Sequence, residues 1–271
     1  VSFGTYKAGK KILPMPMTTI TLTTDFGLKD HYAALLKGTA ISRMPDIYLV
    51  DITHNIQPFN IVQAAYVFRN SWRNFPTGTI HFISVNDLPM ASRKFLLVVH
   101  EGHFFIVADN GLLPLALGGH IQASYALPWP DDATFPLAEI FAHTAAQLSV
   151  GLPPEEIGTP QDSVAQRIGL QPVVKQDQIR GSVIYIDRYD NVVVNIDATI
   201  FKQIGRQRSF ALYFKRHDPI TALSGHYSDK PIGEPLCWFN SAGLLEIAIN
   251  TGRAATLLGL KVDDTVQIDF L

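Results

Sequence analysis

The sequence predicts an α/β N-terminal domain with a mainly parallel sheet, followed by a smaller all-β, barrel-like C-terminal domain. Three observations carry this expectation. In the first half, β-branched and apolar runs alternate with segments of helical period, the pattern of a parallel sheet covered by helices. In the second half, six strand-like runs follow one another with little helical pattern. Between the halves, Gly169–Gln178 (GLQPVVKQDQ) is polar and reads as a linker. The chain of 271 residues therefore divides into a loose tail (1–17), the α/β domain (18–168), the linker (169–178) and the β-barrel domain (179–271). A single core stops growing near ~250 residues, so two domains suit this length.

Each element has its own reason. Thr18–Thr24 (TTITLTT) is β-branched and reads as a strand, broken by Asp25-Phe26-Gly27. His31–Met44 places Tyr32, Leu35, Leu36 and Ala40 at helical spacing, and Pro45 ends it. Ile47–Val50 reads as a short buried strand. Asn60–Trp72 reads as one helix, with Ile61, Ala65, Phe68 and Trp72 on one face. Thr79–Val85, Phe95–Val99 and Phe104–Val107 read as strands, the last two joined by a Glu101-Gly102 turn. Leu137–Val150 reads as a helix with Leu137, Ile140, Phe141, Ala145 and Leu148 inward. Beyond the linker, Ile179–Asp187, Val192–Ile196, Ser209–Phe214, Leu236–Phe239, Leu244–Ile249 and Thr265–Phe270 read as strands, and Arg253–Leu258 as a short helix.

Composition excludes several functions. Lys and Arg total 22, Asp and Glu 24, so no basic excess exists to neutralise a phosphate backbone. Nucleic acid is not expected as a partner, and the lack of a cationic amphipathic helix argues against a membrane surface. No apolar run reaches the ~18 residues of a membrane span. The single cysteine, Cys237, can form neither an internal disulfide nor a cysteine metal cluster. A reducing, cytoplasmic location fits this usage. Val1–Met17 carries Lys7, Lys10 and Lys11 without an apolar stretch, so it does not read as a secretory signal. Only 17% of residues are charged, against about 25% in a usual soluble chain, while 47% are hydrophobic. Such a surface suggests burial beyond the monomer core, against other subunits.

The motifs that could carry chemistry lie at strand ends. Asp25 directly follows the first strand at a glycine turn, and Asp30 follows five residues on. Ligands of open α/β sheets bind outside the carboxyl ends of strands. An ionised carboxylate there can accept both hydrogen bonds of a ribose diol. Asp30 equally fits a helix N-cap. Asp51-Ile52-Thr53-His54-Asn55-Ile56 ends a second strand in a polar turn, with Pro58 and Phe59 beyond. By spacing alone it is an ordinary turn, with His54 a structural hydrogen bonder. Asp109-Asn110-Gly111 and Asp187-Arg188-Tyr189-Asp190-Asn191 also have turn chemistry. Asn240-Ser241-Ala242-Gly243 and Asn250-Thr251-Gly252 flank an apolar strand. No G-x-S-x-G elbow, P-loop or G-x-G-x-x-G fingerprint appears. The nine histidines show no metal-binding spacing, and no metal is expected.

Taken in order, TDFGxxD, VDITHxI, DNGLL, DRxxNVxxNI and NSxGxLEIAxN resemble the S-adenosylmethionine hydroxide adenosyltransferases, relatives of the fluorinases and chlorinases. The resemblance runs from about Ile20 to Asp269. It implies the two-domain fold already read, a homotrimer, and S-adenosylmethionine bound between the N-terminal domain of one subunit and the C-terminal domain of the next. S-adenosylmethionine, or adenosine, would be substrate or ligand, with no further cofactor. The resemblance gives Asp25 the ribose hydroxyls and Asp30 the methionine end. Phe59 would border the ribose and methionine, and Asn191 and Ser241 would contact the methionine amino-acid group. Tyr227 would stack on adenine, and the Asn250–Gly252 turn, with Thr251 at its centre, would face the adenine edge.

The substrate is a sulfonium, so its leaving group is already activated, and the protein need only place a nucleophile in line with the 5′ carbon. In the hydroxide-using enzymes an Asp, an Arg and a His handle the water. The family stretch VDPGVGTxRR reads Val85-Asn86-Asp87-Leu88-Pro89-Met90-Ala91-Ser92-Arg93-Lys94 in this chain. Ungapped, Asn86 takes the Asp position and Arg93 the Arg position. The stretch TFHGRDVFAP begins Thr134-Phe135-Pro136-Leu137 here, so Pro136 replaces the His. An amide is no base and proline offers no polar side-chain group. Asp87 is the candidate to replace the missing Asp, whereas His143, two helical turns beyond Pro136, is not expected to substitute for the His. The halide enzymes carry Tyr at the Asn86 position and Gly or Ser at the Leu137 position, which this chain does not. Weakened hydrolysis, or ligand binding without turnover, is the expectation.

Overall fold

The computed structural model describes residues 17–87, 94–119, 121–130, 133–215 and 217–271. Of the sequence expectations, the tail short of Met17 and Arg93 lie outside the described residues.

The first domain is a three-layer sandwich. Its elements run β1 (Thr18–Thr24), α1 (Tyr32–Arg43), β2 (Ile47–Thr53), α2 (Ile61–Arg69), β3 (Ile80–Ser84), β4 (Phe95–His100), β5 (His103–Ala108), α3 (Leu112–Leu117), β6 (Ala123–Ala126), α4 (Pro136–Ser149), α5 (Pro154–Ile157) and β7 (Thr159–Pro160). The sheet order is β2-β1-β3-β5-β4-β6-β7. The β2-β1-β3-β5 block is parallel, and the β4/β5 hairpin turns the remaining pairs antiparallel. Period-two alternation sorts the side chains between two faces. Ile20, Leu22 and Phe82 pack with Leu36 and Ala40 of α1 and Phe141 and Ala145 of α4. On the other face, Ile83, Val98 and Phe105 pack with Ala64 and Phe68 of α2 and Leu112 of α3.

Three readings are corrected. The run from Ile47 is not a short buried strand: β2 continues to Thr53 and forms the sheet edge, leaving Tyr48 and Val50 exposed. An apolar run of that length does not reveal whether a strand is central. The Asn60–Trp72 helix is two pieces. Asn60 caps α2 by accepting from the Gln63 N–H, α2 ends at Arg69, and Trp72 sits buried in a separate 3₁₀ turn. Asp30 does not cap α1. It is exposed, and His31 holds the cap position without a side-chain bond.

The second domain comprises β8 (Val173–Val174), β9 (Gln178–Ile186), β10 (Val192–Asp197), α6 (Ala198–Gly205), β11 (Phe210–Phe214), β12 (Pro235–Phe239), β13 (Leu244–Ile249), α7 (Ala254–Leu258) and β14 (Thr265–Phe270). Its sheet is antiparallel, in the order β11-β14-β9-β10-β13-β12, with β8 added to β9. Leu212 of β11 pairs with Ile220, and Leu223 pairs with Cys237 of β12. The 220–223 segment thus ties the two edges together and curls the sheet around a core of Val183, Val194, Leu212, Cys237, Ile247 and Ile268. Cys237 is fully buried, and burial pushes its thiol up to about 12.

Tyr66 of α2 stacks on Tyr185 of β9 across the domain boundary, ring centroids 4.8 Å apart. Beside this pair a cavity of about 290 Å³ opens between Arg69, Leu170, Asn195 and Ala242.

Candidate active site

Asp25 emerges where β1 and β3 end side by side, the carboxyl edge of the parallel block. Its N–H donates to the Ser84 carbonyl (3.3 Å). One carboxylate oxygen, Oδ2, accepts from the Phe59 N–H (2.9 Å) and the Asn86 N–H (3.2 Å). Both donors have left-handed backbones, φ 68° and 57°, a conformation uncommon outside glycine and frequent where a site over-determines its geometry. Among the described residues no hydrogen bond reaches Asp25 Oδ1. Phe59 is exposed beside it.

The loops around Asp25 are fixed from behind. His54 Nδ1 bonds the Thr24 hydroxyl (2.7 Å), and its Nε2 lies 3.1 Å from Asp51, which also pairs with Lys37. Burial lowers the His54 pKa, opposed by the Asp51 charge. His54 is therefore a structural bonder. The Gly27 N–H donates to its carbonyl (2.7 Å), with Gly27 at φ 69°. Asn110, after β5, donates to the Val85 carbonyl (2.9 Å) and accepts from the Leu112 N–H (3.1 Å), so the DNG turn clamps the turn that carries Asn86. At Gly111, φ 85°, an added Cβ would meet the Arg167 Cβ at 2.7 Å, which leaves glycine as the residue that fits.

Asn86 and Pro136, the two positions that the resemblance expects to differ from the family, adjoin this loop. Asn86 donates to Asp25 through its backbone. Pro136 opens α4 directly after Phe135, whose ring packs 6.1 Å from Phe26 and 5.9 Å from Tyr32. Next to Asn86, both carboxylate oxygens of Asp87 are buried. His143 lies on the exposed face of α4.

The other residues expected at the ligand gather in the second domain. Asn191 is buried, and its side-chain amide reaches Asp187 (3.1 Å) and the Tyr227 hydroxyl (3.3 Å). The Tyr227 hydroxyl donates to Glu246 Oε1 (2.9 Å), and its ring meets Trp238 edge-on at 4.9 Å. Trp238 Nε1 donates to the same oxygen (2.9 Å), and Asn240 Nδ2 donates to Oε2 (3.2 Å). Asn240 Oδ1 accepts from the Ala242 and Leu244 N–H groups, which shapes the turn that displays exposed Ser241. Asn250 donates to the Lys230 carbonyl (2.8 Å), and Thr251 at φ 56° donates to Asn250 Oδ1 (3.1 Å). This turn thus lies beside the 225–230 loop, which Asp229 organises by accepting from the Gly225 and His226 N–H groups.

The structure therefore brings Asp25, Phe59, Asn86 and Pro136 together in one domain and Asn191, Tyr227 and the Ser241 turn together in the other. Sequence reading missed Glu246, Trp238 and Tyr66. Glu246 did leave a signal: it is a lone acid inside the apolar strand LLEIAI. Among the described residues no three His, Cys, Asp or Glu side chains converge as a metal site would require.

Residues 20–158 match the model of the SAM hydroxide adenosyltransferase N-terminal domain, and residues 181–267 match that of its C-terminal domain. The chain belongs to the S-adenosylmethionine hydroxide adenosyltransferase family. An (R)-S-adenosyl-L-methionine hydrolase of Thermus thermophilus is 30% identical, with 93% of this chain and all of the relative aligned. One from Methanocaldococcus jannaschii is 27% identical over 92% of this chain and 95% of the relative. A fluorinase of Nocardia brasiliensis is 25% identical over 92% and 96%. A crystal structure of a conserved protein from Thermotoga maritima superposes with a TM-score of 0.82 at 29% identity, covering 92% of this chain and 99% of that one. Across this adenosyltransferase family, then, both the hydroxide-using and the halide-using branches align with almost the whole chain.

Proposed function

We propose that the chain binds S-adenosylmethionine and converts it slowly to adenosine and L-methionine. The observation that carries this reading is Asp25: a carboxylate at the carboxyl edge of the parallel strands, one oxygen pinned by two backbone N–H groups and the other open. That open oxygen suits a ribose diol. In the reaction, water oxygen attacks the 5′ carbon as the C–S bond breaks. The electron pair goes to sulfur, which leaves as the neutral thioether of methionine, and one water proton is released. We assign that proton to Asp87, beside the Asn86 that stands in for the family's acid. General acid–base groups contribute ~10²–10⁴-fold, so losing the Asp and His positions slows turnover by that order without abolishing binding.

The ligand would lie between the Asp25 group and an Asn191–Tyr227 group of a neighbouring copy in a trimer. Exposed Tyr48 and Val50 on edge strand β2, with Leu35 and Ile41 on α1, support association of copies. A second reading, binding without turnover, is favoured by Pro136, which presents no polar side-chain group to help activate water where α4 begins. Halide transfer is disfavoured because partly buried Leu137 leaves no small polar pocket for an anion.

Chromatography of the products decides among these. Adenosine accumulating far more slowly than with the Thermus hydrolase supports the proposal. No adenosine, with binding retained, supports the second reading. Adenosine at the relative's rate overturns the weakened-water account, and no binding of S-adenosylmethionine or adenosine overturns both readings.

A further inference from the structure

The ligand-facing residues of the C-terminal domain hang on one buried acid. Glu246 is 6% exposed on β13. It accepts from three side chains, Tyr227, Trp238 and Asn240, and every one of them is neutral. Among the described residues no Lys, Arg or His forms an ion pair with it. Burying a carboxylate is costly unless donors or a cation compensate it. Here donors satisfy its hydrogen bonds while its charge stays unneutralised. A second acid, Asp187, is held in the same network through Asn191. The charge is felt nearby. The Tyr227 phenol is held well above its ordinary value, by burial first and then by Glu246 and Asp187. Burial likewise pushes Tyr66 up to about 12, with Glu246 and Asp187 adding to it and a side-chain bond from Asn240 opposing it.

We propose that Glu246 is a positioning residue that sets ligand choice. It fixes Tyr227 and the Asn240 turn, and its charge makes the face they present prefer a cationic adenosyl sulfonium over a neutral adenosyl thioether of the same shape. This inference rests on the reading of the site given above. The physical argument is direct. Tyr227 cannot rotate without breaking its bond to Oε1, and the Ser241 turn cannot relax without releasing Asn240 from Oε2. A cation bound beside this face supplies the counter-charge that the fold withholds, and attraction is strong where water is excluded. A thioether fills the same space and supplies none.

The test compares S-adenosylmethionine with S-adenosylhomocysteine by calorimetry on the full chain, before adenosine accumulates. The wild-type chain should bind the sulfonium about tenfold more tightly. Glu246→Gln keeps one acceptor oxygen and loses the charge, so the preference should fall toward unity. Glu246→Asp keeps the charge on a shorter stem, so both affinities should fall while the preference survives. Equal wild-type affinities, an unchanged preference in Glu246→Gln, or a lost preference in Glu246→Asp each overturn the proposal. The wild-type ratio and the Asp variant decide the matter even where the Gln variant does not fold. A wild-type chain that binds neither ligand overturns the functional reading and this inference together, whereas binding without preference overturns the inference alone.

Discussion

In the N-terminal domain the candidate site residue Asp25 is held by main-chain N–H groups from two turns in left-handed conformation. In the C-terminal domain the corresponding groups are held by side chains that converge on Glu246. Backbone anchoring survives substitution of the anchoring residue's own side chain, because the N–H remains. An Asn at position 86, where the resemblance expects Asp, would therefore leave the Asp25 geometry intact. A side-chain hub offers no such tolerance: each member is irreplaceable in kind. By the resemblance, the positions that would differ from the family, Asn86 and Pro136, both fall in the N-terminal domain.

The comparison can be broken or sharpened in four ways, taken from the largest expected effect down. Asn86→Asp with Pro136→His should raise adenosine formation by about a hundredfold or more, because it restores two water-activating groups. Pro136 occupies the first turn of α4, where histidine is tolerated, and the Asn86 N–H is retained. No gain in rate with binding intact would show that the backbone-held side lacks more than these two groups. Asp25→Ala should weaken S-adenosylmethionine binding by about a hundredfold in calorimetry, since it removes a charged acceptor. A loss of under tenfold would move the binding energy to the Glu246 side.

The third prediction separates the domains by acid. His81 is fully buried on β3, bonded to Thr21 (2.7 Å) and His103 (3.1 Å), and ringed by Phe68, Trp72 and Phe105. Burial, then the His103 charge, lowers its pKa from 6.5 to about 3. The unfolded chain takes up this proton at the ordinary value and the folded chain does not. The stability is therefore complete above pH 6.5 and is lost as pH falls toward about 3. In a Trp238→Phe chain the remaining Trp72 and Trp129 report on the N-terminal domain, which should melt at falling temperature over that range. A His81→Phe chain should lose much of this dependence. The smallest effect is Tyr66→Phe, which removes a phenol hydroxyl at the domain boundary and should change stability by no more than about 1 kcal/mol in denaturant unfolding. Its ring still stacks on Tyr185.

How much of this was legible in the sequence follows the same division. β1, β13 and β14 could be read to the residue, because β-branched and apolar runs ended at polar turns. Asp25 was legible because it follows such a run at a glycine turn. α3 and α6 were not. LLPLAL is apolar all round and carries a proline, and ATIFKQIG is short and β-branched, so neither shows a clean helical period. The exposure of β2 was hidden because nothing in IYLV distinguishes an edge from a centre. The Glu246 hub was out of reach because the β12–β13 hairpin that sets Trp238 opposite Glu246 must still meet Tyr227 from a separate loop. The cross-domain contact of Tyr66 was invisible for the same reason.

The solitary thiol of Cys237 has a practical consequence. It lines the inside of the barrel beside the 220–223 segment, and its thiolate is scarce at neutral pH. A folded chain should therefore ignore thiol reagents, and the wild-type protein serves as a silent background for a spin label or fluorophore placed on an engineered surface cysteine. Slow labelling of Cys237 itself becomes a clock for how often the barrel seam parts, read from a single mass shift.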